Sequence, residues 1–186
     1  MTMMKTGARL AALALLAGLG ACATAADPGA MTVSATPQTA AAPAAPFPVA
    51  LQHAMCVRNV TGGEETNPMW VSKVDDNGFK TALSGSLDSA GLSAPAGGNC
   101  AFPVDVNLLG LSQPSFGFDM TVTSHVNYKV YDASGQPYVL ATIDAPYTAK
   151  MGDAFLGVER LKLANEGSIR TSIEMFFDKL RAGPSK

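Results

Sequence analysis

Two histidines, three cysteines and a short acidic run are the residues of this chain whose types could do chemistry. The segment around His125 alternates, so that Asp119, Thr121 and Thr123 fall on the same polar side as the imidazole. A nucleophile there would have to be Ser124 or Ser134. Neither sits in a Gly-x-Ser-x-Gly turn or another strained elbow, and Ser124 points away from its neighbour His125 along a strand. A solvated histidine accounts for His125, so no catalytic residue is assigned and no enzyme is expected. His53 stands alone. The run Asp75-Asp76-Asn77-Gly78 looks like a calcium loop until it is aligned. With Gly78 at the sixth position, Lys73 takes the first and Ser84 the twelfth, where carboxylates are needed. Helix capping explains these residues better. No glycine-rich phosphate loop and no paired-carboxylate motif is present, so neither metal nor cofactor is expected. Asn59-Val60-Thr61 matches a glycosylation acceptor, a three-residue pattern that is weak on its own.

The third cysteine belongs to a different chemistry. Residues 1–21 read as an export signal, with Lys5 and Arg9 in front of an apolar run from Leu10 to Leu19. That run is too short for a permanent membrane helix, which needs about 20 residues. It ends in Leu19-Gly20-Ala21-Cys22, which resembles the lipobox of bacterial lipoproteins. Small residues before the cysteine let the backbone enter a peptidase cleft, and the thiol receives the lipid. The resemblance implies cleavage before Cys22, a diacylglyceryl group on its sulfur and a fatty acid such as palmitate on its new amine. Several chains on one residue give stable anchoring, at about 0.8 kcal/mol for each buried CH₂. The residue after Cys22 is Ala23 and not Asp, which implies sorting to the outer membrane with the domain facing the periplasm. The alternative is a soluble exported protein cut at Ala23-Thr24-Ala25, which would lose Cys22 with its signal.

An exported chain meets an oxidising compartment. Cys56 and Cys100 are therefore a candidate disulfide, closing a loop of about 45 residues and contributing about 4 kcal/mol in the chain-entropy model. The alternative is two buried thiols acting as small hydrophobes. Neither lies in a Cys-x-x-Cys pair, which argues against redox catalysis.

For binding, the candidate is the polar loop that carries Glu64, Glu65, Asn67 and the single tryptophan, Trp70. Loops carry function more often than cores, and Trp is enriched at binding hot spots. Trp70 could equally fold back and plug the end of the core.

The elements that must position these residues follow from periodicity. Residues 22–46, rich in Ala, Thr and Pro, predict a disordered tether spanning about 25–30 Å as a coil. Residues 47–186 form one globular domain, expected in the order β-α-β-β-β-α. A short strand near Met55–Val60 precedes the loop at 61–73. Phe79, Leu83, Leu87 and Ala90 then share one face of a helix over 75–90. Asp75 or Asp76 can cap it, with Gly91 at C′ and Leu92 at C″. A strand around Val104–Leu108 follows. Strict alternation then runs from Phe116 to Val130, with Phe116, Phe118, Met120, Val122, Val126, Tyr128 and Val130 on one face. After a further strand at 138–148, the last helix over 154–181 aligns Val158, Leu161, Ile169, Ile173, Phe176 and Leu180. Arg160 lies largely off that stripe. Gly167 within it costs about 1 kcal/mol relative to Ala. The fold class is α+β: a two-layer sandwich, with a mostly antiparallel sheet and two amphipathic helices on one face.

The chain of 186 residues is 47% hydrophobic and 15% charged, enough apolar surface for a core. Its net charge of −2 becomes −4 once residues 1–21, with Lys5 and Arg9, are removed. Nucleic acid is not a partner for such a chain, and anionic headgroups gain nothing from it. The order of elements, the lipobox and the closing amphipathic helix together resemble the small two-layer lipoproteins of Gram-negative envelopes, such as the LPS-assembly lipoprotein and YajG-like groups. That resemblance implies a non-enzymatic protein that binds or scaffolds an envelope protein or glycolipid, held to the membrane by its lipid anchor. Two alternatives remain open: a periplasmic enzyme or ligand-binding protein, and an accessory lipoprotein of an envelope transport complex.

Overall fold

The structure is a computed structural model that describes residues 23–34, 45–67 and 71–184. Four strands pair in the order β1-β2-β3-β4. They are β1 Met55–Thr61, β2 Phe102–Ser112, β3 Met120–Tyr131 and β4 Pro137–Ala149. The first two run parallel and the rest antiparallel. A short helix α1 (Pro28–Met31) precedes the sheet. Helix α2 (Asp76–Ser89) is the crossover between the parallel strands, and α3 (Gly157–Ala182) closes the chain. This is the two-layer α+β arrangement that the sequence predicts.

Local chemistry sets α2 cleanly. The Asp75 carboxylate accepts from the Gly78 amide at 2.8 Å, as an N-cap should. At the other end Gly91 takes a φ of 69°, the Leu92 N–H bonds the Leu87 carbonyl and the Gly91 N–H bonds that of Asp88. These are the two bonds of a Schellman motif, and fully buried Leu92 supplies its apolar contact.

The core lies between the sheet and the helices. Tyr128 of β3 stacks on Phe176 of α3, with centroids 4.3 Å apart, and Phe79 of α2 meets its ring edge-on. All three are fully buried. The Tyr128 hydroxyl exchanges a 2.9 Å hydrogen bond with Ser172, so its one polar atom is satisfied, and burial raises its pKa far above the usual value.

Three expectations are corrected. First, strand β3 begins at Met120 and not at Phe116. The segment before it leaves the sheet toward α3, where the Gly117 carbonyl accepts from Arg160 Nη2 at 3.4 Å. Phe116 and Phe118 are therefore 87% and 79% exposed instead of facing the core. Second, Arg160 is not on the wet side of α3. It is buried, and its Nη1 donates to the carbonyls of Ala154 and Phe155. Third, residues 23–34 are not a disordered tether. Asp27 caps α1 by accepting from the Gly29 amide, Pro28 takes the first helical turn, and Met31 is completely buried among the α2 and α3 side chains. A single large apolar residue behind a capped turn outweighs the Ala/Pro composition. Residues 35–44 of the predicted tether lie outside the described residues.

Candidate functional site

The strap over residues 23–34 is bonded to the rest of the fold from Ala26 to Val33. Its contacts are Ala26 N–H to the Lys73 carbonyl, Asp27 N–H to Glu166 Oε1 at 2.7 Å, the Ala30 carbonyl to Arg170 Nη1, and Val33 N–H to Ser86 Oγ. Ala23 and Ala26 are 6% and 5% exposed. Glu166 is buried, and that burial holds its carboxyl above the usual Glu range, with the Asp27 amide and the Lys162 ammonium acting against the shift. Cys22 and the rest of the lipobox, Leu19, Gly20 and Ala21, lie outside the described residues. The folded part of the chain therefore reaches to the residue beside the lipobox cysteine.

Cys56 and Cys100 form the expected disulfide, with Cα atoms 5.8 Å apart. Cys56 is the second residue of β1 and Cys100 stands two residues before β2. The bridge locks the parallel pair at the end where both strands begin.

The candidate binding loop is pinned. Glu64 Oε2 lies 3.2 Å from Lys73 Nζ, and the Glu64 amide bonds the Val74 carbonyl. Thr66 Oγ1 accepts from the Lys73 amide, and the Gly63 amide donates to Asp76. Asn67 pairs with Val71 as an isolated bridge. Glu64, Glu65 and Asn67 are exposed, whereas Trp70 lies outside the described residues.

The sheet face away from the helices carries cross-strand polar pairs. Thr121 meets Thr148, Asn127 donates to Thr142, and Arg58 clasps Asp105, which lowers the Asp105 pKa through that hydrogen bond. His125 is the centre of a longer chain of bonds. Its Nδ1 lies 2.7 Å from Asp144 Oδ1 and its Nε2 lies 2.9 Å from Ser112 Oγ. The carboxylate orients the ring, and the ring stands where it could accept the serine proton. Sequence reasoning looked for the serine next door. It missed Ser112 and Asp144 because they come from the strands on either side of β3, and only register brings them together. Ser124, next to His125 in the sequence, is buried instead, with its hydroxyl donating to the Ser168 carbonyl of α3. Among the described residues no group of three or more His, Cys, Asp or Glu could hold a metal ion.

A second feature absent from the sequence reading sits at the end of the sheet where both helices begin. Phe116 and Phe118 project from the β2–β3 loop, and Phe155 from the β4–α3 loop, with Met151 and Leu156 beside them. The two loops are stitched together by Arg160 and by the Asp119 carboxylate, which accepts from the Met151 amide at 3.1 Å.

No protein-family model matches the chain, and no curated protein matches it. Solved structures similar to it include two. One, protein XCC0632 of Xanthomonas campestris, assigned to the family DUF330, is 12% identical with a TM-score of 0.52, over 86% of this chain and 96% of that one. The other, a Caulobacter crescentus CB15 protein regarded as a lipoprotein, is 12% identical with a TM-score of 0.45, over 67% of this chain and 87% of its own. At such identity the Xanthomonas likeness concerns the fold alone. Kinship with the LPS-assembly lipoprotein or YajG-like groups in particular finds no support in these neighbours.

Proposed function

We propose that this chain is a non-enzymatic, lipid-anchored protein of the bacterial cell envelope that binds or scaffolds another envelope protein or a glycolipid. The observation that carries the reading is the closeness of two features: the lipobox ends at Cys22, and the next residue, Ala23, is already buried, three residues before the first hydrogen bond of the strap. Cleavage after Ala25 would remove buried Ala23 but leave the hydrogen bonds of the strap, which begin at Ala26, so it is the lipobox string that supports Cys22 as the mature start. Among the described residues no helix is long and apolar enough to cross a membrane; in this reading several acyl chains on Cys22 supply the attachment. The Ala after that cysteine supports the outer membrane as the destination. The partner surface is the loop at 62–70 or the edge of the sheet at β4.

One observation favours a second reading, a periplasmic hydrolase: the Ser112–His125–Asp144 chain. It is the weaker reading because Asp144 is 67% exposed, so water competes for the carboxylate that would have to fix the imidazole.

The experiment is complementation of a strain lacking the gene, scored by detergent resistance of the envelope. The binding reading expects His125→Ala and Ser112→Ala to restore resistance fully, and Trp70→Ala or Glu65→Lys to fail. The reverse pattern, with Ser112 labelled by a fluorophosphonate probe, would establish the hydrolase. If all four variants restore resistance, both site assignments are wrong.

A further inference from the structure

The strap has a direction. From Val33 to Ala30 to Asp27 to Ala26 its bonds move from Ser86, late in α2, to Lys73, ahead of α2. On α3 they move from Arg170 to Glu166. Both paths lead toward the end of the molecule where the two helices begin. Glu166 stands nine residues into α3, about 13 Å from its first residue at 1.5 Å per residue. The three residues from Ala26 back to Ala23 can span about 10 Å. The anchored end of the chain thus leaves the domain toward the same end that displays Phe116, Phe118 and Phe155.

From this we infer that these three phenylalanines insert into the bilayer that holds the lipid anchor, fixing the domain on the membrane in one orientation. The inference rests on the lipid-anchored reading of Cys22. Three rings that are 87%, 79% and 84% exposed are more apolar surface than a free loop end keeps without use. They are held out rigidly, since Arg160 ties Gly117 to Ala154 and Phe155 across the two loops. The acids of the two loops are turned to backbone amides, Asp119 to Met151 and Asp153 to Lys150, and Glu159 in the first turn of α3 lies 3.7 Å from the Lys162 ammonium. With a mature net charge of −4 the domain has no general attraction for anionic headgroups, so its grip on a bilayer must be apolar. Beneath the tips a small second core of Met120, Val122, Ala149, Leu161 and Ala164 gives the loops a firm base.

The test uses the full lipidated chain, purified from membranes and reconstituted in phosphatidylethanolamine–phosphatidylglycerol vesicles with brominated acyl chains. Trp70→Phe clears the background, and Phe118→Trp or Phe155→Trp places a reporter in either loop. Val49→Trp, at an 82% exposed site at the opposite end, is the comparison. The same samples are weighed intact to establish acylation at Cys22. The expected result is loss of most of the emission from both loop reporters, severalfold more than from the Val49 site. Acylated protein whose loop reporters are quenched no more than the Val49 site would overturn the insertion alone and leave the tips to a protein partner or a second copy. Protein without acyl mass at Cys22 would overturn the anchored reading and the insertion together.

Discussion

Gly167 shows how much one residue position depends on its neighbour across the layer. Read along the helix, it is a weak point that costs about 1 kcal/mol against Ala. In the structure a Cβ at this position would lie 2.2 Å from Tyr147 Cδ1 on β4. The glycine lets helix and sheet approach closely, as do Ser168 and Ser172, which bond the Ala145 carbonyl and the Tyr128 hydroxyl. Gly167→Ala is therefore expected to destabilise the fold by about 1–3 kcal/mol, the usual cost of overpacking, and not to stabilise it. Urea unfolding measures the sign. The disulfide gives a second prediction at this scale. Replacing Cys56 and Cys100 with Ser should lower stability by about 4 kcal/mol, while reductant should leave the double variant unchanged. The cysteines were legible because an exported chain leaves two thiols few other fates. The contact that makes Gly167 necessary was not legible, because nothing local in a helix reports a ring on a distant strand.

At the scale of elements, what the sequence revealed was what is local. The cap at Asp75, the Gly91–Leu92 ending of α2 and the period of two through β3 are all written in adjacent residues. The parallel pairing of β1 with β2, and the register that joins Ser112, His125 and Asp144, depend on the packing of the whole sheet. The strap at 23–34 lies between these cases. Its Asp27-Pro28 start is a legible helix signal, but the composition around it points to disorder. The amides of Ala26 and Asp27 are expected to exchange slowly with solvent, as bonded groups, and exchange at the rate of free coil would remove the strap from the fold. Met31→Ala should cost about 2–5 kcal/mol in unfolding, as for other buried methionines. Glu166 adds a pH signature. Its carboxyl holds a proton more tightly folded than unfolded, so its contribution falls as pH rises from the ordinary Glu value through the raised one. Glu166→Gln keeps an acceptor for the Asp27 amide and removes that ionisation. Melting temperatures compared across this range should show the parent losing ground to the Gln variant as pH rises.

For the whole molecule, the strap changes what the proposed anchor could do. A 25-residue coil would let the domain stand clear of the lipid and turn freely. A chain that is bonded from Ala26 onward, with Ala23 already buried, leaves no long coil between Cys22 and the contacts of the strap on the helices; on the proposed lipid-anchored reading this would keep the domain close to the membrane. The lipobox reading rests on a local string, Leu19-Gly20-Ala21-Cys22, that lies outside the described residues. The consequence of its position, next to a folded residue, needed the structure. The central claim is that Cys22 is the lipidated first residue of the mature protein, and the intact mass of protein extracted from membranes tests it most directly. The account predicts a chain that begins at Cys22 and carries diacylglyceryl and amide-linked acyl mass, gaining two protons on reduction as the Cys56–Cys100 bridge opens. A mass that begins after Ala25 and carries no lipid would contradict it and make this a soluble exported protein whose partner must be sought in solution.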